Sequence, residues 1–146
     1  FMKKEISKSK RGKLARAAGA RFELKVRNHL ENEGWILDKW TNNIDLELGK
    51  IISAKPKFIF NPKTKMRIMI GKSSGFPDFI AFKRKGKLYD IIGIEVKING
   101  WLDKTEKEKC KFLLGKKIFS KILIAKKGKE RGKIEYIDFA VKYNKI

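Results

Sequence analysis

Three charged residues stand inside otherwise apolar sequence: Asp78 in GFPDFIAF, then Glu95 and Lys97 in IIGIEVKI. A strand alternates its side chains between two faces, so Glu95 and Lys97 share one side while Val96 points away. Asp78 directly follows Pro77 at the start of the neighbouring strand, where a proline costs no ladder donor. Uncompensated burial of charge costs on the order of several kcal/mol or more. These groups must therefore be paired with one another, solvated in a cleft, or neutralised by a metal ion. Two carboxylates a few ångströms apart repel unless a cation lies between them, and hard cations such as Mg²⁺ prefer oxygen ligands.

Two adjoining strands are needed to bring such groups together. Phe79–Phe82 is one apolar run and Ile91–Ile98 is the other, joined by the basic stretch KRKGK. Its Lys85-Gly86 dipeptide supplies the turn, because glycine accepts the positive φ that tight loops need.

Pro77-Asp78, then sixteen residues, then Glu95-Val96-Lys97 resembles the signature of the PD-(D/E)XK nuclease superfamily. The resemblance implies a restriction-endonuclease-like α/β core of order αβββαβ, with a central mixed sheet flanked by helices. It implies that Asp78, Glu95 and the Val96 carbonyl hold Mg²⁺ or Mn²⁺, and that Lys97 orients or activates the attacking water. More loosely, the likeness runs from about Gly19 to Lys126. Within it GARFELKVRNHLENEGW is similar to the first helix of archaeal Holliday-junction resolvases, which would make Glu23 a further residue of the metal site.

At 146 residues the chain reads as one domain, 1–146, with room for a single core. Its charge is the unusual quantity: 37 Lys and Arg against 16 Asp and Glu leave a formal +21. An excess of that size speaks to partners rather than to fold, and it points to a polyanion. The expected partner is nucleic acid, double-stranded or branched DNA, and a homodimer would favour the resolvase branch. One cysteine, Cys110, excludes an internal disulfide and a cysteine-based zinc site. One histidine, His29, excludes a histidine-cluster metal centre. No run approaches the ~20 apolar residues of a membrane helix, and no segment resembles a signal peptide. A soluble cytoplasmic protein is expected.

Residues 1–16 read as a basic arm, either a solubilising tail or a phosphate-neutralising one. From about Arg16 to Glu33 the spacing turns helical, with Ala18, Phe22, Val26, His29 and Leu30 in one stripe and Gly34 as the stop. His29 reads there as a packed helix residue rather than a ligand. Apart from the resemblance, Glu23 reads as a surface carboxylate paired with Arg27 four residues on.

Trp35–Trp40 alternates as a strand, and Thr41-Asn42-Asn43 breaks it. Residues 44–74 form a basic insert of short strands or hairpins punctuated by Pro56 and Pro62. Basic and aromatic residues interleave in it, a mixture that suits a surface tracking a phosphate backbone. Arg21, Lys55, Lys57, Lys72 and Lys109 are the candidate phosphate contacts. Asp45 and Glu47 are either acidic site residues or partners for nearby lysines.

Beyond the central hairpin, Thr105 and Glu108 have capping-box spacing for a helix running to about Leu114, with Gly115 as its stop. Cys110 reads as a small core residue. The resemblance places a helix in this position beside the active site, which draws attention to Lys109. IFSKILIA reads as a buried strand, residues 126–133 as a basic turn, and IEYIDF as a last strand. Phosphodiester hydrolysis is thus the leading expectation. A non-catalytic nucleic-acid-binding protein, or a buried ion network without chemistry, are the alternatives.

Overall fold

The structure, a computed structural model, describes residues 5–72 and 75–143. Helix α1 spans Lys8–Asn32 and begins well before the expected Arg16. Ser7 is the reason: its Oγ accepts from Lys10 N at 3.3 Å and satisfies one of the unpaired amides of the first turn. The basic segment is therefore helical from Lys8 onward, not a free arm, while residues 1–4 lie outside the described residues. Phe22, Val26 and Leu30 repeat every four residues and turn one face into the core. His29 is not packed among them. It is exposed, with Nδ1 2.8 Å from the Tyr136 hydroxyl and its ring stacked on that of Tyr136.

Five strands build the central sheet. They are β1 (Ile36–Lys39), β6 (Phe79–Lys85), β7 (Leu88–Val96), β8 (Lys121–Lys127) and β9 (Ile134–Asp138), in the spatial order β1-β6-β7-β8-β9. All neighbours are antiparallel except β7 and β8. A parallel pair needs a crossover, supplied here by helix α2 (Lys104–Gly115). Helix α3 (Phe139–Tyr143) closes the described chain. The β6–β7 turn pairs Lys85 with Leu88 and puts Gly86 at φ +65°, as the Lys85-Gly86 reading required.

Between β1 and β6 the insert forms two separate hairpins, β2 (Asn42–Asp45) with β3 (Lys50–Ser53), and β4 (Pro56–Asn61) with β5 (Met66–Lys72). Asn42 and Asn43 thus open a strand rather than only breaking one. The core lies on both faces of the sheet. Phe22, Val26 and Leu30 meet Phe79, Ala81, Ile92 and Ile94 on the α1 side. Cys110 and Leu113 meet Phe119, Ile122 and Ile124 on the α2 side. Cys110 is fully buried, as expected of a small core residue, and burial pushes its thiol up to about 12. The architecture is mixed α/β with helices against a central mixed sheet. No helix among the described residues is long and apolar enough to cross a membrane.

Candidate functional site

The site forms at the end of β7 and the start of β6, where the antiparallel register does the positioning. Phe79 pairs with Ile94, so Asp78 stands one step further along, opposite Glu95. Two glycines let the segment carrying Asp78 lie this close. A Cβ on Gly93 would meet Pro77 Cγ at 2.8 Å, so only glycine lets Pro77, in a cis peptide with Phe76, sit flat on β7. A Cβ on Gly75 would run into the backbone carbonyls of Trp40 and Asn42, and Phe76 N donates to the Asn42 carbonyl at 2.9 Å. Asp78 is then held by backbone: its Oδ2 accepts from Val96 N at 2.7 Å, and its carbonyl accepts from Trp40 N at 3.1 Å.

Glu95 is the one buried charged residue among those described, with 4% of its surface exposed. Desolvation, then the hydrogen bond with Asp78, then the Asp78 charge push its carboxyl up to about 11. A carboxyl raised that far keeps its proton at neutral pH and can donate it to Asp78. A divalent cation is the other species able to join two such oxygens.

Lys97 lies just past β7, its amide donating to the Ala125 carbonyl at 2.9 Å. Its Nζ is 2.6 Å from Glu106 Oε2 on α2. Burial pulls the Lys97 pKa down, but the Glu106 hydrogen bond and the charges of Glu106, Glu95 and Asp78 outweigh it, and the net shift is upward. Glu106 is the residue that sequence reasoning missed. Helix α2 starts at Lys104 and is capped by Asp103, with Glu106 as the reciprocal member of the box. The expected Thr105–Glu108 box is displaced by this one, while the helix ends at Gly115, as expected, with Lys116 as its C-cap. The spacing Asp103-x-x-Glu106 was present in the sequence as the missed signal.

Asp78, Glu95, Val96, Lys97 and Glu106 open onto a cleft of about 300 Å³ whose walls also include Glu23, Asn43 and Lys109. Glu23 therefore reaches the same space as the strand carboxylates. It is held by Lys39, Nζ to Oε2 2.7 Å, not by Arg27, which pairs with Glu31 instead. No three His, Cys, Asp or Glu side chains gather at metal-binding distance among the described residues. The available oxygen set is the Asp78–Glu95 pair and the backbone of Val96. In an extended strand the N–H and C=O of one residue leave on the same edge, which directs the Val96 carbonyl toward the side of Asp78. Two carboxylates and a carbonyl fit a small hard cation that keeps several waters.

Lys109 Nζ is 2.8 Å from Asn43 Oδ1 and lies 5.7 Å from the Phe76 ring centre, which fixes it at the cleft wall. Asn43 and Lys109 are shared with a larger neighbouring cleft of about 450 Å³ that Asp45, Glu47 and Lys55 also line. Asp45 is engaged locally, accepting from Leu48 N at 3.0 Å in the β2–β3 turn. Of the other candidate phosphate contacts, Arg21 is exposed on α1 and Lys57 is exposed on β4. The Lys72 side chain lies outside what the structure describes. The structure thus brings Asp78, Glu95, Lys97, Glu23 and Lys109 to one cleft and Lys55 to its neighbour. It does not place Arg21 or Lys57 in the wall of either.

Compared with protein-family models, with curated proteins and with solved structures, the chain matches none.

Proposed function

We propose that this chain is a metal-dependent nuclease that hydrolyses phosphodiester bonds, with DNA as its substrate. The observation that carries the reading is the Asp78–Glu95 pair: a buried, protonated glutamic acid facing an aspartate, opening onto a cleft beside an ammonium, in a protein of charge +21. Perturbed, mutually facing groups in a cleft are the physical mark of a working site. The order of elements supports it as well. Without the two insert hairpins, the chain runs α1, three antiparallel strands, α2, then a strand parallel to the third. That is the αβββαβ order of the restriction-endonuclease-like core that the PD-(D/E)XK resemblance implies, with β2–β5 as its basic insert.

Asp78, Glu95 and the Val96 carbonyl would hold Mg²⁺ or Mn²⁺, and Glu23 would add a ligand if released from Lys39. Bound there, such a cation lowers the pKa of coordinated water and offsets charge on the phosphoryl oxygens. Lys97, kept cationic and aimed by Glu106, positions the attacking water or stabilises the developing oxyanion. Lys109 and Lys55 draw the backbone across the adjoining clefts, an attraction that weakens steeply with salt.

Incubation with supercoiled plasmid, with and without Mg²⁺, tests the reading. Cleavage requiring Mg²⁺ and abolished separately by Asp78→Ala, Glu95→Ala and Lys97→Ala, with duplex binding retained, is the expected result; undiminished cleavage by the Glu95 variant overturns it. The absence of a third acidic ligand among the described residues favours a second reading, a non-catalytic nucleic-acid-binding protein. That reading predicts binding that ignores Mg²⁺ and no product at any metal concentration.

A further inference from the structure

The β4–β5 hairpin buries almost nothing. Phe58, Ile59, Phe60, Ile68 and Met69 are each between 44% and 59% exposed, and beyond each other the two strands pack extensively on no other element. An isolated two-stranded ribbon is marginal in water, and contiguous exposed apolar surface marks a contact site. The register sorts the side chains. Phe58 pairs with Met69 and Phe60 with Arg67, so these four share one face. On it the Arg67 guanidinium lies over the Phe58 ring, 4.6 Å from its centre.

Charge identifies the occupant. No Asp or Glu stands between Glu47 and Asp78, so every charged side chain of this hairpin is a cation. A second copy of the hairpin would be repelled, whereas a polyanion would be attracted. Flat aromatic and guanidinium surfaces amid lysines offer what an unpaired base needs, a stacking plane next to a phosphate contact. The stem is rooted at the site: Ala54 N donates to the Thr41 carbonyl at 2.8 Å, and Phe76 N to that of Asn42 at 2.9 Å. The hairpin thus leaves and rejoins the fold beside the cleft that holds Asp78.

We propose that the Phe58–Arg67–Phe60 face of this hairpin stacks on unpaired bases, so that the chain prefers nucleic acid containing a single-stranded or branched segment over continuous duplex. The substrate class rests on the nuclease reading, but the binding preference can be measured without cleavage.

The test is fluorescence anisotropy in EDTA with a labelled single-stranded oligonucleotide and a duplex of equal length, across a salt series. Phe58→Ala/Phe60→Ala weakens single-strand binding about tenfold or more, weakens duplex binding less than about threefold, and leaves the salt slope unchanged because no phosphate contact is lost. Arg67→Lys keeps the charge but not the plane, and loses single-strand affinity with the slope intact. Both phenylalanines are exposed, so thermal melts of the variants should overlay the parent. Equal loss on both probes, or none on the single strand, overturns the inference. So does a hairpin that serves other partners: binding to anionic phosphatidylserine vesicles, or self-association by sedimentation, lost in the double variant while oligonucleotide binding is kept. Selective single-strand binding by a protein that cleaves nothing would sink the nuclease reading and leave this one standing. Mg²⁺-dependent cleavage together with single-strand binding that the hairpin variants leave unchanged would do the reverse.

Discussion

Glu106 holds Lys97 with one carboxylate oxygen and the start of α2 with the other: Oε2 lies 2.6 Å from Lys97 Nζ, and Oε1 accepts from Asp103 N at 3.1 Å. One side chain therefore ties the ammonium of the candidate site to the helix that flanks it. Glu106→Gln should retain much of the cap and weaken the ion pair. The Lys97 pKa, raised in the folded protein, should then fall. A lysine raised on folding stabilises fully below its unfolded value, about 10.5, and that contribution is lost as pH rises through the folded one. The variant should therefore be less stable at pH 7 by about 1 kcal/mol, discounted for partial exposure, and the difference should vanish above the folded pKa. Urea melts in a series from pH 7 upward check this.

Glu95 shifts in the same direction as Lys97, but over a window that includes neutral pH. Its folded pKa, about 11, lies above the unfolded value of 4.5, so between those limits the unfolded chain sheds the proton more readily and stability falls as pH rises. Glu95→Gln keeps the shape and still donates to Asp78, but has no proton to lose. In EDTA it should exceed the parent by about 1–2 kcal/mol at pH 8.5, or about 2–4 °C per kcal/mol, with a smaller gain at pH 5. A variant that melts below the parent at pH 8.5 would contradict the shared-proton description. The same substitution should abolish cleavage.

Metal binding must displace that proton. Mn²⁺ affinity should rise about tenfold per pH unit between pH 6.5 and 8.5, and calorimetry in two buffers of different ionisation enthalpy should count about one proton released. Asp78→Asn should remove the binding, and EDTA should restore the protonated pair. Affinity that ignores pH would mean the ion is held elsewhere.

The central hairpin and the facing of Asp78 and Glu95 were legible because carboxylates interrupt strands whose period-2 pattern is otherwise apolar. The start of α1 was not. Its first turns are exposed and carry no apolar repeat, so Ser7 was the only signal. The α2 cap was misplaced because Asp103 and Thr105 both suit a cap; the choice falls to Asp103, directly after the buried Leu102 that anchors the turn. Glu23 with Lys39, and Lys109 with Asn43, are pairs across the fold. Local spacing offers Glu23 only Arg27, and nothing in one sequence orders such long-range choices.

Gly93 connects fold and site in one position. A methyl group there would meet Pro77 Cγ at 2.8 Å and Phe119 Cδ2 at 3.2 Å, contacts that a packed interior relieves only by moving the neighbours. The Phe119 ring is held edge-on by Trp40, and Trp40 N is bonded to the Asp78 carbonyl, so Pro77 and the Asp78 segment must yield. Gly93→Ala should cost about 1–3 kcal/mol by overpacking. It should also weaken Mn²⁺ binding, although the substituted residue is no ligand, because Asp78 is carried away from Glu95. A surface control of comparable destabilisation, such as a glycine in place of the exposed Ala20 of α1, should leave Mn²⁺ affinity unchanged. If Gly93→Ala lowers the melting temperature while its Mn²⁺ isotherm overlays the parent's, the Asp78–Glu95 pair is not where the ion sits.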